Sequence, residues 1–165
     1  MAIGVIVLGS LWHFIFDWSG QNDIIAAIAP VNESVWEHLK MGYWALIIYA
    51  ATGVLVFNPK ILVNFFSLLM GILLLNGAVL VIYYSYASLL HHSILWLDVT
   101  AYCAGALACQ VSMPYLMKKT ISMRLEIISA VALISLGLLF AIFTFYPPHA
   151  PMFMDSRTET YGILD

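Results

Sequence analysis

The sequence predicts an all-α fold, a polytopic bundle of about five membrane-spanning helices, and three observations predict it. Of its 165 residues 63% are hydrophobic and only 9% charged, where soluble domains average about 25% charged. Its apolar runs are long, and a membrane-spanning helix needs about 20 such residues, with about 17 as a floor. Short polar breaks separate the runs. Lipid admits only helices or closed barrels, because backbone polar groups must pair internally there. The runs are too long for barrel strands. The length suits one domain, 1–165, with the lipid bilayer as its solvent.

The first segment runs from about Ala2 to Trp18. No Lys or Arg precedes it, and the polar stretch 17–23 separates it from the cleavage-like Ala27-Ile28-Ala29, which Pro30 follows. It therefore reads as an uncleaved span rather than a signal peptide. The second runs from about Met41 to Phe57, and Asn58-Pro59-Lys60 then reads as a tight turn. The third covers about Ile61 to Ala87, and the polar patch after it holds His91 and His92. The fourth covers about Ile94 to Met117 and ends at Lys118-Lys119-Thr120. The fifth runs from about Leu125 to Tyr146, stopped by Pro147-Pro148, and a polar tail, 147–165, follows.

Basic residues in short loops set orientation. Lys60, Lys118, Lys119 and Arg124 fall on one side, Lys40 and Arg157 on the other. The predicted topology is N-terminus in, C-terminus out. All five histidines and all five tryptophans then lie on the outer side or within about a turn of it. Loop solvation and the interfacial preference of Trp account for part of this. They do not account for inner loops that carry no His.

Ala101, Gly105 and Cys109 recur every four residues, with Ala104, Ala108 and Ser112 beside them, and Gly137 and Ala141 do the same in the last segment. Such spacing lets helices approach closely. Asn76 and Gln110, at membrane depth, are expected to hydrogen-bond between helices, a solute path being the alternative. Cys103 and Cys109 are six apart and turn to different sides of a helix, so no bridge is expected between them.

Two motifs could carry chemistry. In the first, His13 and Asp17 are four apart and would share a helix face. A carboxylate beside an imidazole fixes its tautomer and raises its basicity, which suits a general base or a metal ligand. Anchoring of the helix end is the plainer account. The second is Pro30-Val31-Asn32-Glu33-Ser34-Val35-Trp36-Glu37-His38-Leu39-Lys40. If it is helical, Glu33 and Glu37 share a face. The competing account is a capping box, Ser34 with Glu37, leaving Lys40 to snorkel to the interface. Asn32 could equally be the cap, with Glu33 favoured by the helix dipole. Asp98, a turn inside its segment, needs a partner. His91 and His92 diverge on a helix and read as loop residues. His149 lies in a stiff proline-rich stretch, either holding a lid over the mouth or plainly exposed.

The 30–40 motif resembles the signature of a family of small bacterial, mainly Gram-positive, integral membrane proteins with no assigned function. His13-Phe14 with Asp17-Trp18-Ser19-Gly20 is similar too, the Asp17 position commonly carrying Glu in that family. So is the tail element Met152-Phe153-Met154-Asp155…Thr160-Tyr161-Gly162, where Glu159 stands in place of a frequent Gly. The resemblance implies a multi-pass protein of the bacterial cytoplasmic membrane.

The leading functional expectation is a membrane enzyme, assisted by a divalent metal such as zinc, acting at the outer face on a lipid-like or small apolar substrate. His13, Asp17 and Glu33 form the expected metal set, with Glu37 and His38 as further catalytic groups. Asn32, Trp36, Lys40, Asp98 and His149 are the expected substrate contacts. The alternatives are a small-solute or cation transporter, which five spans would require to be a homo-oligomer, and a haem-binding electron carrier using two of His13, His91, His92 and His149. The net charge of −3 carries no message about nucleic acid, but no basic patch exists to grip phosphates, so no nucleic-acid partner is expected. No H-E-x-x-H, G-x-S-x-G or phosphate-binding loop occurs.

Overall fold

A computed structural model describes residues 2–53, 64–90 and 93–163. Within them the protein is all-α: α1 (Ala2–Trp12), α2 (Ile15–Trp18), α3 (Asp23–Ala26), α4 (Val35–Thr52), α5 (Phe65–Leu90), α6 (Leu95–Met117) and α7 (Met123–Phe145), with a 3-10 turn at Pro151–Phe153. The tail closes on itself through one antiparallel bridge, Met154 to Tyr161. The proposed turn at Asn58-Pro59-Lys60, and His91 and His92, lie outside the described residues.

Side-chain caps set several helix starts. Ser34 Oγ accepts from Glu37 N, Ser122 Oγ from Leu125 N, and Asn22 Oδ1 from Ile24 N. Because Ser34 is the cap, α4 begins at Val35, six residues before the apolar run of its sequence. The 2–18 segment is not one helix. The α-helical pattern stops at Trp12, where Phe14 N turns back to Leu11 O, and it resumes only at Ile15.

The five longer helices run alternately up and down. At one end α4 starts where α7 finishes, joined by Glu37 and Thr144, and α5 finishes where α6 starts, joined by Tyr86 and Asp98. At the other end Phe65 N donates to Glu126 Oε2, bringing the starts of α5 and α7 together. The core between them is Val5, Leu46, Ile72, Leu75, Cys109 and Phe140 with their neighbours.

Small residues do what their spacing suggested, inside the chain. A Cβ at Gly105 would stand 2.8 Å from the Leu75 carbonyl oxygen, so α5 and α6 touch backbone to backbone there. The Cys109 thiol donates to Gly71 O, and both cysteines are free. Gly137 makes room for the Tyr43 ring, whose hydroxyl donates to Leu133 O. Asn76 Nδ2 donates to Leu39 O, and the Gln110 side-chain oxygen accepts from Ala2 N, so both bond between elements as expected.

Among the described residues α5 and α7 are long and apolar enough to cross a membrane. The opening of α4 carries Glu37, His38 and Lys40, and α6 carries Asp98, Thr100, Gln110 and Ser112, which lowers their hydropathy. The outer side of α7 is apolar, with Ile127, Ile128, Val131, Ile134 and Leu138 all exposed.

Candidate functional site

Between Pro30 and Val35 nearly every polar group is assigned. Asn32 Oδ1 accepts from Ser34 N and its Nδ2 donates to Gly162 O, tying the loop to the tail. Ser34 then caps α4. The box is only half formed, because the Glu37 carboxylate does not return to the cap. It accepts from Val31 N at 3.3 Å and meets Lys40 Nζ at 2.5 Å. Lys40 donates to Ala26 O and to Thr144 Oγ1, each at 2.8 Å, and Thr144 in turn stands 2.9 Å from Glu37 Oε1. Glu37 is 2% exposed and Lys40 0%. Lys40 therefore does not snorkel. It is the hub joining α3, α4 and α7, because a buried ammonium persists only where partners replace its water.

Glu33 precedes the cap, on extended chain rather than helix, and its side chain takes the opposite direction. Its Oε1 lies 3.4 Å from His13 Nε2 and its Oε2 3.7 Å from His38 Nε2. The two imidazole rings are 5.7 Å apart, centroid to centroid. His38 Nδ1–H donates to Ser34 O at 2.9 Å, which orients that ring and turns Nε2 toward Glu33. His13 comes from the break between α1 and α2. Hydrogen bonding from His13 holds the Glu33 carboxyl down to about 2, against the opposing effect of partial burial, and the charges of His13, His38 and Arg157 add to it.

The tail completes this cluster. Asp155 is buried and accepts from Glu33 N through Oδ2, and from Arg157 N and Thr158 N through Oδ1. Ser156 Oγ donates to Glu33 O, and Arg157 Nη2 stands 3.5 Å from Glu33 Oε1. Phe153 packs between Trp36 and Phe143, anchoring the tail from the apolar side.

His13, Glu33, His38 and Arg157 line a cavity of about 260 Å³, together with Asp98. Asp98 has the partner its position demanded, the Tyr86 hydroxyl, which donates to it. These polar residues come from helix ends and loops. Further along the helices the lining turns apolar, with Ile6, Met41, Val79 and Tyr102.

The expected residues thus divide. His13, Glu33, His38 and Asp98 share one cavity. Glu37 and Lys40 form a separate buried pair, Trp36 packs on Phe140, and Asn32 is spent on backbone. His149 is exposed, its ring edge against Tyr161. Asp17 is exposed in α2, and the interruption at His13 and Phe14 removes the shared helix face. The expected metal set of His13, Asp17 and Glu33 is therefore not assembled. Among the described residues no three His, Cys, Asp or Glu side chains form a group able to hold a metal ion. Arg157, beside Glu33 Oε1, puts a positive group where a cation would have to bind. Sequence reasoning missed Arg157, Thr144 and Tyr86; each lies far from its partner along the chain and carries no local pattern.

The fold and site define a class: within the described residues, an all-helical protein with an amphipathic cavity bordered at its polar end by an imidazole–carboxylate cluster and a folded-back tail. The chain belongs to a family of unknown function, DUF6512, whose model matches residues 1–163. No curated protein and no solved structure matches it.

Proposed function

We propose that the protein is a five-span integral membrane enzyme using metal-free acid–base chemistry on an amphiphilic substrate. The observation that carries this is Glu33, held between the Nε2 atoms of His13 and His38 at the polar end of an apolar cavity. Two imidazoles beside one ionised carboxylate can pass a proton between a nucleophile and a leaving group, one ring accepting as the other donates. Glu33 offsets the imidazolium charge that forms. Ser34 O holds His38 in the orientation that presents Nε2. The apolar wall suits the hydrocarbon part of a substrate, and the exposed apolar side of α7 supports a lipid surround.

Among the described residues the donor set does not fit a metal, because Arg157 stands beside Glu33 Oε1. Transport has less support. Asn76 and Gln110 are engaged with Leu39 and Ala2, and neither lines the cavity. For haem, His149 lies outside the cavity lining that holds His13, and His91 and His92 lie outside the described residues.

The test is a comparison of lipid extracts from one host expressing wild-type protein, Glu33→Gln or His38→Ala. Mass spectrometry is expected to find a lipid class whose abundance changes with the wild type and with neither variant. Identical profiles for all three, at equal membrane expression, would remove the enzymatic reading.

A further inference from the structure

Among the described residues lining the cavity, Arg157 is the only permanent cation. Both carboxylates are already answered. Glu33 faces His13, His38 and Arg157, and Asp98 receives the Tyr86 hydroxyl. Arg157 is different. Its only ionic contact among the described residues is one guanidinium nitrogen, 3.5 Å from Glu33 Oε1, while its side chain is 67% exposed. A guanidinium carries five N–H donors in a rigid fork matched to oxyanions. Its base is fixed, because Arg157 N donates to Asp155 Oδ1 at 2.6 Å. The fork is thus held at the cavity with most of its donors unspent and room to turn.

The apolar lining supplies the other half of the description. Phe14, Leu95 and Val99 line the cavity and are themselves exposed, at 48%, 61% and 45%. Exposed apolar residues therefore continue the apolar wall outward, which gives a hydrocarbon chain a path in. Ser156 lines the cavity next to Arg157.

We infer that the cavity binds an amphiphile with an oxyanion head, carboxylate or phosphate, with Arg157 as the residue that reads the head. The chain lies along Ile6, Met41, Val79 and Val99. The head takes the free N–H groups of Arg157, and the Glu33 contact loosens as the fork turns. A cationic head would meet carboxylates that already have partners, and a neutral head would leave the fork unused. The inference rests on the amphiphile-binding part of the reading above and names its substrate class.

Its test uses the full-length protein in a neutral sugar-headed detergent. Native mass spectrometry reads retention of four twelve-carbon probes: dodecanoate, dodecyl phosphate, dodecanol and dodecyltrimethylammonium. At least one of the two anions is expected to be retained by wild type over dodecanol and the cation, and which one identifies the head. Arg157→Gln is expected to weaken that retention about tenfold, the scale of a lost charge-assisted bond, and Arg157→Lys to restore part of it. Val99→Trp is expected to reduce all chain binding. Equal retention of anion and dodecanol, or unchanged anion retention in Arg157→Gln, overturns the inference. Wild-type protein, read in both the retention and the lipid-turnover assays, separates the two claims. Anion retention with no lipid turnover leaves this inference standing without the enzyme, and turnover of a neutral lipid indifferent to Arg157→Gln does the reverse.

Discussion

Glu33 and Glu37 stand four residues apart and do opposite work. Glu37 is at the third position of α4, points into the protein, and is held by Lys40, Thr144 and Val31 N. Removing one partner of a buried ion pair leaves the other charge uncompensated, at a cost of about 3–5 kcal/mol, whereas replacing both together costs far less. Glu37→Gln and Lys40→Met should each sharply lower the thermal midpoint in detergent, and the double variant should recover much of the loss. Equal, additive losses would mean that the pair is not coupled. Glu33 makes a pH prediction. Its carboxyl falls from an ordinary 4.5 to about 2 on folding, so the stability it contributes is fully present above about 4.5 and is lost as pH falls from there toward 2. Glu33→Gln should flatten the stability profile over that window. The sequence made both acids candidates, but it could not part them. Their separation depends on Ser34 rather than Asn32 being the cap, which leaves Glu33 outside the helix, and two capping residues two positions apart look alike without the fold.

The helices were more legible than their ends. The starts and stops expected for α6 and α7 lie within two residues of those observed, because apolar length and Pro147-Pro148 are local signals. The break after Trp12 was not legible. Trp12-His13-Phe14-Ile15 contains no proline or glycine, and the tertiary contacts that accompany the interruption are remote, with Trp12 Nε1 donating to Ile28 O and His13 turned to Glu33. The small-residue repeat of α6 was readable as close packing, but not as packing within one chain. That gives an element-scale contrast. Gly105→Ala places a methyl group 2.8 Å from the Leu75 carbonyl oxygen and 2.9 Å from its Cα, both backbone atoms unable to step aside. Separation of α5 from α6 should cost about 1–3 kcal/mol, the usual range for overpacking. Gly77→Ala on the same pair of helices meets nothing within 4 Å, and should be neutral or stabilising by up to about 1 kcal/mol through helix propensity. Unfolding midpoints of the two variants, measured side by side, decide it. Similar losses in both would locate the α5–α6 contact elsewhere.

For the whole molecule, burial alters the argument for orientation under the five-span reading. Counted from the sequence, basic residues divide four against two, with Lys60, Lys118, Lys119 and Arg124 opposed by Lys40 and Arg157. Lys40, however, is buried and paired with Glu37, and Arg157 faces Glu33. Among the described residues, therefore, no Lys or Arg at the cavity end is left without an acidic partner, while Lys118 and Lys119 remain exposed at the other. The positive-inside preference acts on residues near helix ends during insertion. If Glu37 already accompanies Lys40 at that stage, the effective margin is wider than four to two, and the cavity end with the tail faces outward. A single cysteine at Thr158, an exposed position in the tail turn, should react with a membrane-impermeant maleimide on intact cells, in a background with Cys103 and Cys109 replaced by alanine. One at Lys119 should react only after the membrane is opened. The pattern should survive Arg157→Gln, because Arg157 has its own carboxylate partner and adds little to the balance. Labelling of Lys119 but not Thr158 on intact cells would invert the protein. The His13–Glu33–His38 cluster would then face the cytoplasm, and its amphiphile would have to come from the inner leaflet.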